Sequence, residues 1–212
     1  MPIRGHTTGI FRMKNRNGFY RLMTRVFDLM LLNLMTAVGC IPVITGGAAA
    51  AGMHSCLIKM HRGEDPEIIR TWRKSFRENL RQGMVLSMIA ALIIADLYAV
   101  RQMPAGRRET FGGIAAAAGL AAAAVFSYVF PFLARYRDTV GGTIRKSAGL
   151  ALVYFPKTIL MLLIAAGACF LYWYFNLYIL PVILLFGLSG PAYLQMLIYD
   201  PIFQRLEKQE EE

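Results

Sequence analysis

The chain has 212 residues, of which 56% are hydrophobic and only 17% charged, and its mean hydropathy is +0.45. This balance is too apolar for a soluble globular protein of that length and is typical of a helical bundle in lipid. The net charge of +10 would suit a nucleic-acid partner, but the basic residues lie in short segments between apolar runs, where positive charge sets membrane orientation, so nucleic acid is excluded.

The first apolar run follows a basic stretch. Residues 1–24 contain arginine and lysine but no acidic residue, and we predict that they form a basic N-terminal segment in the cytoplasm. A signal peptide has the same order of charge and apolarity, but the apolar run over residues 29–44 exceeds the usual length of its core. We therefore predict a retained membrane helix over residues 25–45, at the start of a transmembrane domain that covers residues 25–200.

Residues 31–62 contain an apolar helix that reaches Pro42, a tight turn of Thr45, Gly46 and Gly47, and a second helix over residues 48–60. At ~1.5 Å per residue the second helix measures about 20 Å, which is short for a membrane span. Either basic residues at its end extend to the surface, or the turn lies below the outer surface and is shielded by protein. Its small residues would allow close approach to a neighbouring helix.

Residues 64–81 are amphipathic, with Ile68, Trp72, Phe76 and Leu80 recurring every four residues among arginines and lysines. This pattern predicts a helix that lies on the cytoplasmic surface of the membrane. The candidates for contact with anionic lipid headgroups or a partner protein are Trp72, Arg73, Lys74, Phe76 and Arg77.

An internal repeat relates this segment to residues 138–155. The sequence TWRKS of residues 71–75 recurs as TIRKS in residues 143–147, which adds Arg145 and Lys146 to the contact candidates. The second segment is also predicted to be amphipathic, with Ile144, Ala148, Leu152 and Phe155 on one side. Each segment follows a helix that enters from outside and precedes one that returns there. This matched position indicates a duplication or a shared structural requirement. A second, shorter repeat relates residues 41–44 to residues 180–183.

Four further apolar runs predict membrane helices over residues 84–100, 112–134, 158–175 and 179–199. The second of these is rich in alanine, which favours helix but adds little hydrophobicity, so we expect it to pack inside the bundle. Residues 101–110 are predicted to form a polar loop. Residues 201–212 are predicted to be an acidic tail in the cytoplasm, with a solvated and partly disordered end at residues 207–212. The predicted fold is therefore all-α: a polytopic bundle of about six transmembrane helices with two cytoplasmic amphipathic helices.

The distribution of positive charge predicts the orientation. Six spans place all but three of the 23 lysines and arginines on the side of the N-terminus; the exceptions are Arg101, Arg107 and Arg108. Positive charge marks the cytoplasmic side. The sequence thus predicts a multi-pass membrane protein with both termini in the cytoplasm, and the family resemblance given below implies that the membrane is a bacterial inner (cytoplasmic) membrane.

A second set of candidates could form a polar turn or pathway: Asn33, Pro42, Thr45, Gly46, Gly47 and Asp96. The turn offers backbone N–H groups at the start of a helix, where the helix dipole favours an anion; a tight turn between close-packed helices is the alternative. Asp96 is an acidic residue within a predicted span, and such residues are by default candidates for a functional site. It could also pair with Arg101 near the outer surface. Asn33 is more often a hydrogen-bonding link between helices than a ligand group.

The chain resembles the YesL-like family of bacterial membrane proteins, a domain of unknown function. The residues that carry the resemblance are Asn33, the run IPVITG at 41–46 with alanines 48–51 behind it, and the segment around Trp72, Phe76 and Asn79. Where the family more often has Gly-Pro, this chain has Gly46-Gly47. The resemblance implies an accessory or regulatory role in carbohydrate uptake by an importer of the ATP-binding cassette (ABC) type, and it brings no catalytic residues.

The sequence contains no catalytic or cofactor motif, and its three cysteines and three histidines have no metal-ligand spacing. We expect His54 to be a packed, hydrogen-bonded histidine, and Asp200, near a helix end, to cap that helix or pair with a basic neighbour. We therefore predict no catalytic, cofactor-binding or metal-binding residues and no enzymatic activity. The leading hypothesis is a non-enzymatic accessory or regulatory membrane protein that binds an ABC importer or another membrane protein. The alternative is a small solute transporter or channel that acts on its own. The sequence names neither the partner nor the oligomeric state.

Overall fold

Every regular element in the described residues, 18–64, 66–175 and 185–211 of a computed structural model, is a helix. Eight α-helices have both ends within these ranges: α1 (Gly18–Cys40), α2 (Gly46–His61), α3 (Ile68–Glu78), α4 (Leu80–Arg101), α5 (Ala105–Arg135), α6 (Val140–Val153), α7 (Phe155–Phe175) and α8 (Ser189–Glu211). Most of the basic N-terminal segment lies outside the described residues, and so does the whole of the short repeat at residues 180–183.

Helix α2 is the centre of the bundle and contacts α1, α3, α4, α5 and α8. Most of its 16 residues are buried, including Ala48, Ala49 and Ala51 without any exposed surface. Small side chains make this position workable, because they let neighbouring backbones approach closely on several sides. At ~1.5 Å per residue the helix is about 24 Å long, so it is an internal helix rather than a lipid-facing span.

The turn before α2 lies earlier than predicted. A short 3₁₀ helix (Val43–Thr45) follows Pro42, and Gly46 and Gly47 already belong to α2. The Thr45 hydroxyl donates to the carbonyl oxygens of Gly39 at 2.7 Å and Pro42 at 2.9 Å. These bonds hold the chain reversal without a flexible glycine, so the predicted turn at residues 45–47 is wrong.

Four helices are long and apolar enough to cross a membrane, and their candidate spans are Leu22–Cys40, Leu80–Arg101, Ala105–Arg135 and Phe155–Tyr174. Their surfaces carry exposed large apolar side chains such as Leu92, Ile114 and Phe170, as expected of a face in contact with lipid. The helical membrane bundle is therefore confirmed, but among the described residues four spans meet the criterion rather than six. Helix α2 is too short, and the predicted span over residues 179–199 lies partly outside the described ranges.

The alanine-rich helix does not pack inside the bundle as predicted. Helix α5 begins at Ala105 and so absorbs most of the predicted polar loop, and its buried residues all lie in the last third, from Tyr128 to Leu133. The alanine-rich part is largely exposed, although α4 packs closely at Gly119, where an added Cβ would lie 2.9 Å from Leu97. Short alanine side chains keep the helix regular but cannot reach a second neighbour.

The predicted tail belongs to the last helix where the structure describes it, and it is not a separate segment. Helix α8 continues through this segment to Glu211, and Ile202 and Phe203 are fully buried. The Phe203 ring packs edge-on against Phe132 and Tyr136 at the end of α5, with centroids 6.3 and 5.7 Å away. Burial of these apolar rings explains why the helix continues into a sequence that is acidic at its end.

Helices α3 and α6 occupy corresponding positions, each between two longer helices, as the repeat predicts. The matched serines, Ser75 and Ser147, are both buried. Of the side predicted to be apolar, Ile144 packs against the core, whereas Leu152 and Phe155 are exposed. The residues that α6 buries are Thr143, Ser147, Leu150 and Ala151.

Candidate functional site

Trp72 fixes helix α3 to the body of the protein. Its side chain is 8% exposed, and its indole N–H donates to the Thr36 hydroxyl at 3.2 Å. An added Cβ at Gly39 or Gly52 would lie 3.0 Å from the indole ring, so α1 and α2 each provide a glycine where the ring packs. Trp72 is therefore wrong as a candidate for contact with lipid or a partner, because its ring inserts between two helices of its own chain.

The other side of α3 presents positive charge. Arg73, Lys74 and Arg77 are exposed and form no ion pair with any residue that the structure describes. Phe76 is half-buried and stacks on Trp72 with ring centroids 4.9 Å apart. The buried aromatic pair therefore holds the arginines and the lysine on a helix of fixed position. We call the exposed pair Arg73 and Arg77 the arginine face.

The two repeat segments lie at one end of the bundle, which we call the basic end. Arg137 pairs with Glu78 of α3 at 3.3 Å, and the Gln82 amide donates to the Asp138 carbonyl oxygen at 2.5 Å. Of the contact candidates on α6, Arg145 is exposed, whereas Lys146 forms an ion pair with Asp138 at 2.7 Å. The hydrogen bond from Lys146, helped by the Thr139 amide, lowers the pKa of Asp138.

A network of ion pairs joins α2, α5 and α8 at this end. Arg62 donates to the Asp200 carboxylate through Nε at 3.1 Å and Nη2 at 2.9 Å, and Asp200 is fully buried. Arg62 also pairs with Glu207 at 2.9 Å, and Glu207 pairs with Arg135 at 2.8 Å. Burial alone would raise the pKa of Glu207, but the hydrogen bonds from Arg135 and Arg62 outweigh it and lower the pKa.

The sequence indicated only part of this network. Pairing of Asp200 with a basic neighbour was expected from its place near a helix end, and Arg62 provides that partner. The roles of Glu207 and Arg135 were missed. A signal existed in the spacing of Asp200, Gln204 and Glu207, which places three polar groups on one side of a helix, and Gln204 donates to Asp200 at 2.8 Å.

The candidates for a polar turn or pathway do not form one site. The Asn33 side-chain oxygen accepts the backbone N–H groups of Leu188 at 2.7 Å and Ser189 at 2.9 Å, so it links α1 to the start of α8, as predicted. The Gly47 N–H donates to the Ser87 hydroxyl at 2.6 Å. An added Cβ at Gly47 would lie 2.5 Å from the Gly83 carbonyl oxygen. The glycines at the start of α2 therefore serve close helix packing, and the Gly47 N–H has a partner within the protein.

Asp96 stands apart from these residues. It is exposed on α4 among exposed apolar side chains, and the ion pairs of the described residues include none between Asp96 and Arg101. His54 is buried and hydrogen-bonded to the Tyr199 hydroxyl at 2.8 Å, which is the packing role expected for it. Within the described ranges no group of His, Cys, Asp and Glu side chains could hold a metal ion.

The fold and the site together define a class: a helical membrane protein whose short connecting helices build a rigid, basic surface at one end. Residues 29–99, which run from α1 to α4, match a family described as "Protein of unknown function, DUF624". YesL-like proteins belong to that family, so over these residues the match agrees with the resemblance to YesL-like proteins. Neither a curated protein nor a solved structure matches the chain.

Proposed function

We propose that this chain is a non-enzymatic accessory or regulatory membrane protein that binds a membrane partner through its basic end. One observation carries the proposal: Arg73 and Arg77 are exposed without an ion-pair partner in the described structure, on a helix that the buried Trp72 holds in place. A pre-positioned pair of arginines can bind carboxylates with little loss of side-chain entropy compared with a mobile segment. The complementary surface is therefore acidic.

The proposed partner is a subunit of a carbohydrate ABC importer. This part of the proposal comes from the resemblance to YesL-like proteins, and the geometry contributes only the chemistry of the surface. The burial of Trp72 supports a protein partner over simple adsorption to lipid, because the largest aromatic side chain of α3 is not available to enter a bilayer. Anionic headgroups remain neighbours of the basic end in either case.

Copurification tests this proposal. A tagged wild-type chain is co-expressed with the carbohydrate importer encoded nearest to it, solubilised in mild detergent, and compared with the variant Arg73→Glu/Arg77→Glu. The matched control is Arg107→Glu/Arg108→Glu, which reverses two exposed arginines at the opposite end of the bundle. We expect the importer to copurify with the wild type and the control but not with the arginine-face variant. Equal recovery with all three chains would contradict the proposal.

A transport assay separates the accessory role from the alternative of an autonomous transporter or channel. Asp96 lies on an exposed, largely apolar face, away from the other candidate polar residues, which supports the accessory role. Purified protein in liposomes should therefore transport no sugar, while deletion should impair uptake through the importer. Sugar uptake by the purified chain that Asp96→Asn abolishes would instead establish a transporter.

We also propose that the basic end faces the cytoplasm of a bacterial cell and that both termini lie on that side, in keeping with the distribution of lysine and arginine. Single cysteines placed at Gly106, Arg73 and Arg145 in a cysteine-free background test this orientation. A membrane-impermeant thiol reagent should label only the cysteine at position 106 in intact cells. Labelling at position 73 or 145 would refute the orientation.

A further inference from the structure

A groove of about 420 Å³ lies between the ends of α2, α3 and α5. Five basic side chains line it: Lys59, Arg70, Lys74, Arg135 and Arg137. Neither Arg73 nor Arg77 lines the groove, although Lys74, which lies beside them on α3, does. The groove therefore adjoins the arginine face without including it, and its ligand is a separate question.

Positive charge in the groove exceeds negative charge. Glu78 is the only carboxylate among its lining residues, and it pairs with Arg137 at 3.3 Å. Arg135 is held by Glu207. Lys59 is half-buried and Lys74 exposed, and neither forms an ion pair with a residue that the structure describes. An anion bound between these two lysines would provide the missing counter-charge.

Hydroxyl groups accompany the cations. Ser55 and Thr71 both contribute to the lining, and the Ser75 hydroxyl donates to the Ala51 carbonyl oxygen at 3.4 Å, where it joins α3 to α2. Lysine, arginine and hydroxyl donors arranged around one concave space form the combination that binds phosphate oxygens. A simple carboxylate has fewer oxygens and would use fewer of these donors.

The position of the groove indicates the source of the phosphate. The candidate span in α5 ends at Arg135, and the span in α4 begins at Leu80, directly after the lining residue Asn79. Two membrane-crossing helices thus end at the groove, which places it at the depth of the lipid headgroups. We propose that this groove is a binding site for the phosphate headgroup of an anionic phospholipid, held chiefly by Lys59 and Lys74.

Lipid binding to the purified full chain tests the site. The protein in neutral detergent is titrated with phosphatidylglycerol, phosphatidylcholine or inorganic phosphate, and retained ligand is measured by native mass spectrometry. The variant Lys59→Gln/Lys74→Gln removes the two lysines, and Arg107→Gln/Arg108→Gln is the control at the other end. Since each nearby lysine contributes roughly fivefold to binding at an anionic headgroup, the variant should bind phosphatidylglycerol roughly 25-fold more weakly, and the control as the wild type does.

The single substitution Lys74→Gln guards against misfolding, because this side chain is exposed; we expect a loss of roughly fivefold. Unchanged affinity in both lysine variants, or an equal loss in the control, would overturn the site. Inorganic phosphate binding as tightly as phosphatidylglycerol would overturn the assignment to lipid. The assay contains no importer, so its failure and the failure of the proposed docking to an importer are distinguishable.

Discussion

Replacing Arg62 with methionine should destabilise the protein by roughly 3–5 kcal/mol, the usual effect of removing one member of a buried ion pair. The Asp200 carboxylate is fully buried and receives two hydrogen bonds from Arg62, at 3.1 and 2.9 Å. Without Arg62 it retains Gln204 at 2.8 Å and a more distant His61 at 3.7 Å. A buried charge with one good hydrogen bond is poorly compensated, so the loss should lie in this range.

The double variant Arg62→Met/Asp200→Asn distinguishes the effect of the buried Asp200 charge from the effect of side-chain size. Asparagine keeps the size of the side chain and an oxygen that Gln204 can reach, but it has no charge to leave buried. We therefore expect the double variant to regain much of the stability that Arg62→Met loses. The matched control is Arg70→Met, whose pair with Glu67 at 3.8 Å is exposed on both sides and should contribute about 0–1 kcal/mol.

Reversible unfolding in mild detergent, followed by the loss of the circular dichroism signal of the helices, gives the free energies. Circular dichroism of each variant before unfolding confirms that it is helical at the start. We expect a large loss for Arg62→Met, partial recovery in the double variant and almost no change for Arg70→Met. If Arg62→Met loses no more stability than Arg70→Met, the network does not hold α8 against α2 and this account of the basic end is wrong.

Three further predictions use the same unfolding assay. Trp72→Ala should lower the free energy of unfolding by roughly 3–5 kcal/mol, because it empties a closed space between α1 and α2. This loss should exceed that of Phe76→Ala, since Phe76 is only half-buried. Equal losses would contradict the insertion of the Trp72 ring between the two helices. Gly83→Ala should lower the free energy of unfolding by about 1–3 kcal/mol, because the added Cβ would lie 2.5 Å from the backbone nitrogen of Ala48 on the opposing helix. Gly113→Ala has no atom within 4 Å of the added Cβ, so it should raise the free energy of unfolding by about 0.5–1 kcal/mol through helix propensity. The lowered pKa of Glu207 stabilises the fold above the carboxyl's ordinary pKa of about 4.3, and this contribution is lost as pH falls through the lower, folded pKa. Stability should therefore decline less on acidification in Glu207→Gln than in the wild type, and parallel pH curves would refute the linkage.

The sequence was sufficient where a local pattern decides the outcome. Apolar runs predicted the helical membrane bundle, and four helices satisfy the length and composition of a span. Repeated TxRKS segments predicted two short helices at matching positions, which α3 and α6 occupy. Asn33 was expected to link helices, and it caps α8. In each case the relevant information lies within a few residues, or in hydrophobicity summed over one helix.

Tertiary structure alone decided which surfaces of those helices face protein and which face lipid. Composition cannot make this distinction, because apolar side chains are equally suited to either environment. Thus α2, with small residues, became the centre, whereas the alanine-rich part of α5 stayed outside. Trp72 likewise had an apolar pattern consistent with a bilayer, but Gly39 and Gly52, far away in sequence, leave room for its ring within the protein.

The ion pairs at the basic end were the feature least predictable from the sequence. Arg62 and Asp200 are 138 residues apart, and neither residue's neighbourhood in the sequence indicates the other. The acidic residues of the last helix looked like a solvated tail because their arginine partners reside on α2 and α5. Charge pairing acts through space over a few ångströms, and distances of that kind depend on the tertiary structure. The sequence alone therefore determined a basic membrane protein of many helices. The packing of α2, α5 and α8 decided which charges are paired and which remain available at the surface.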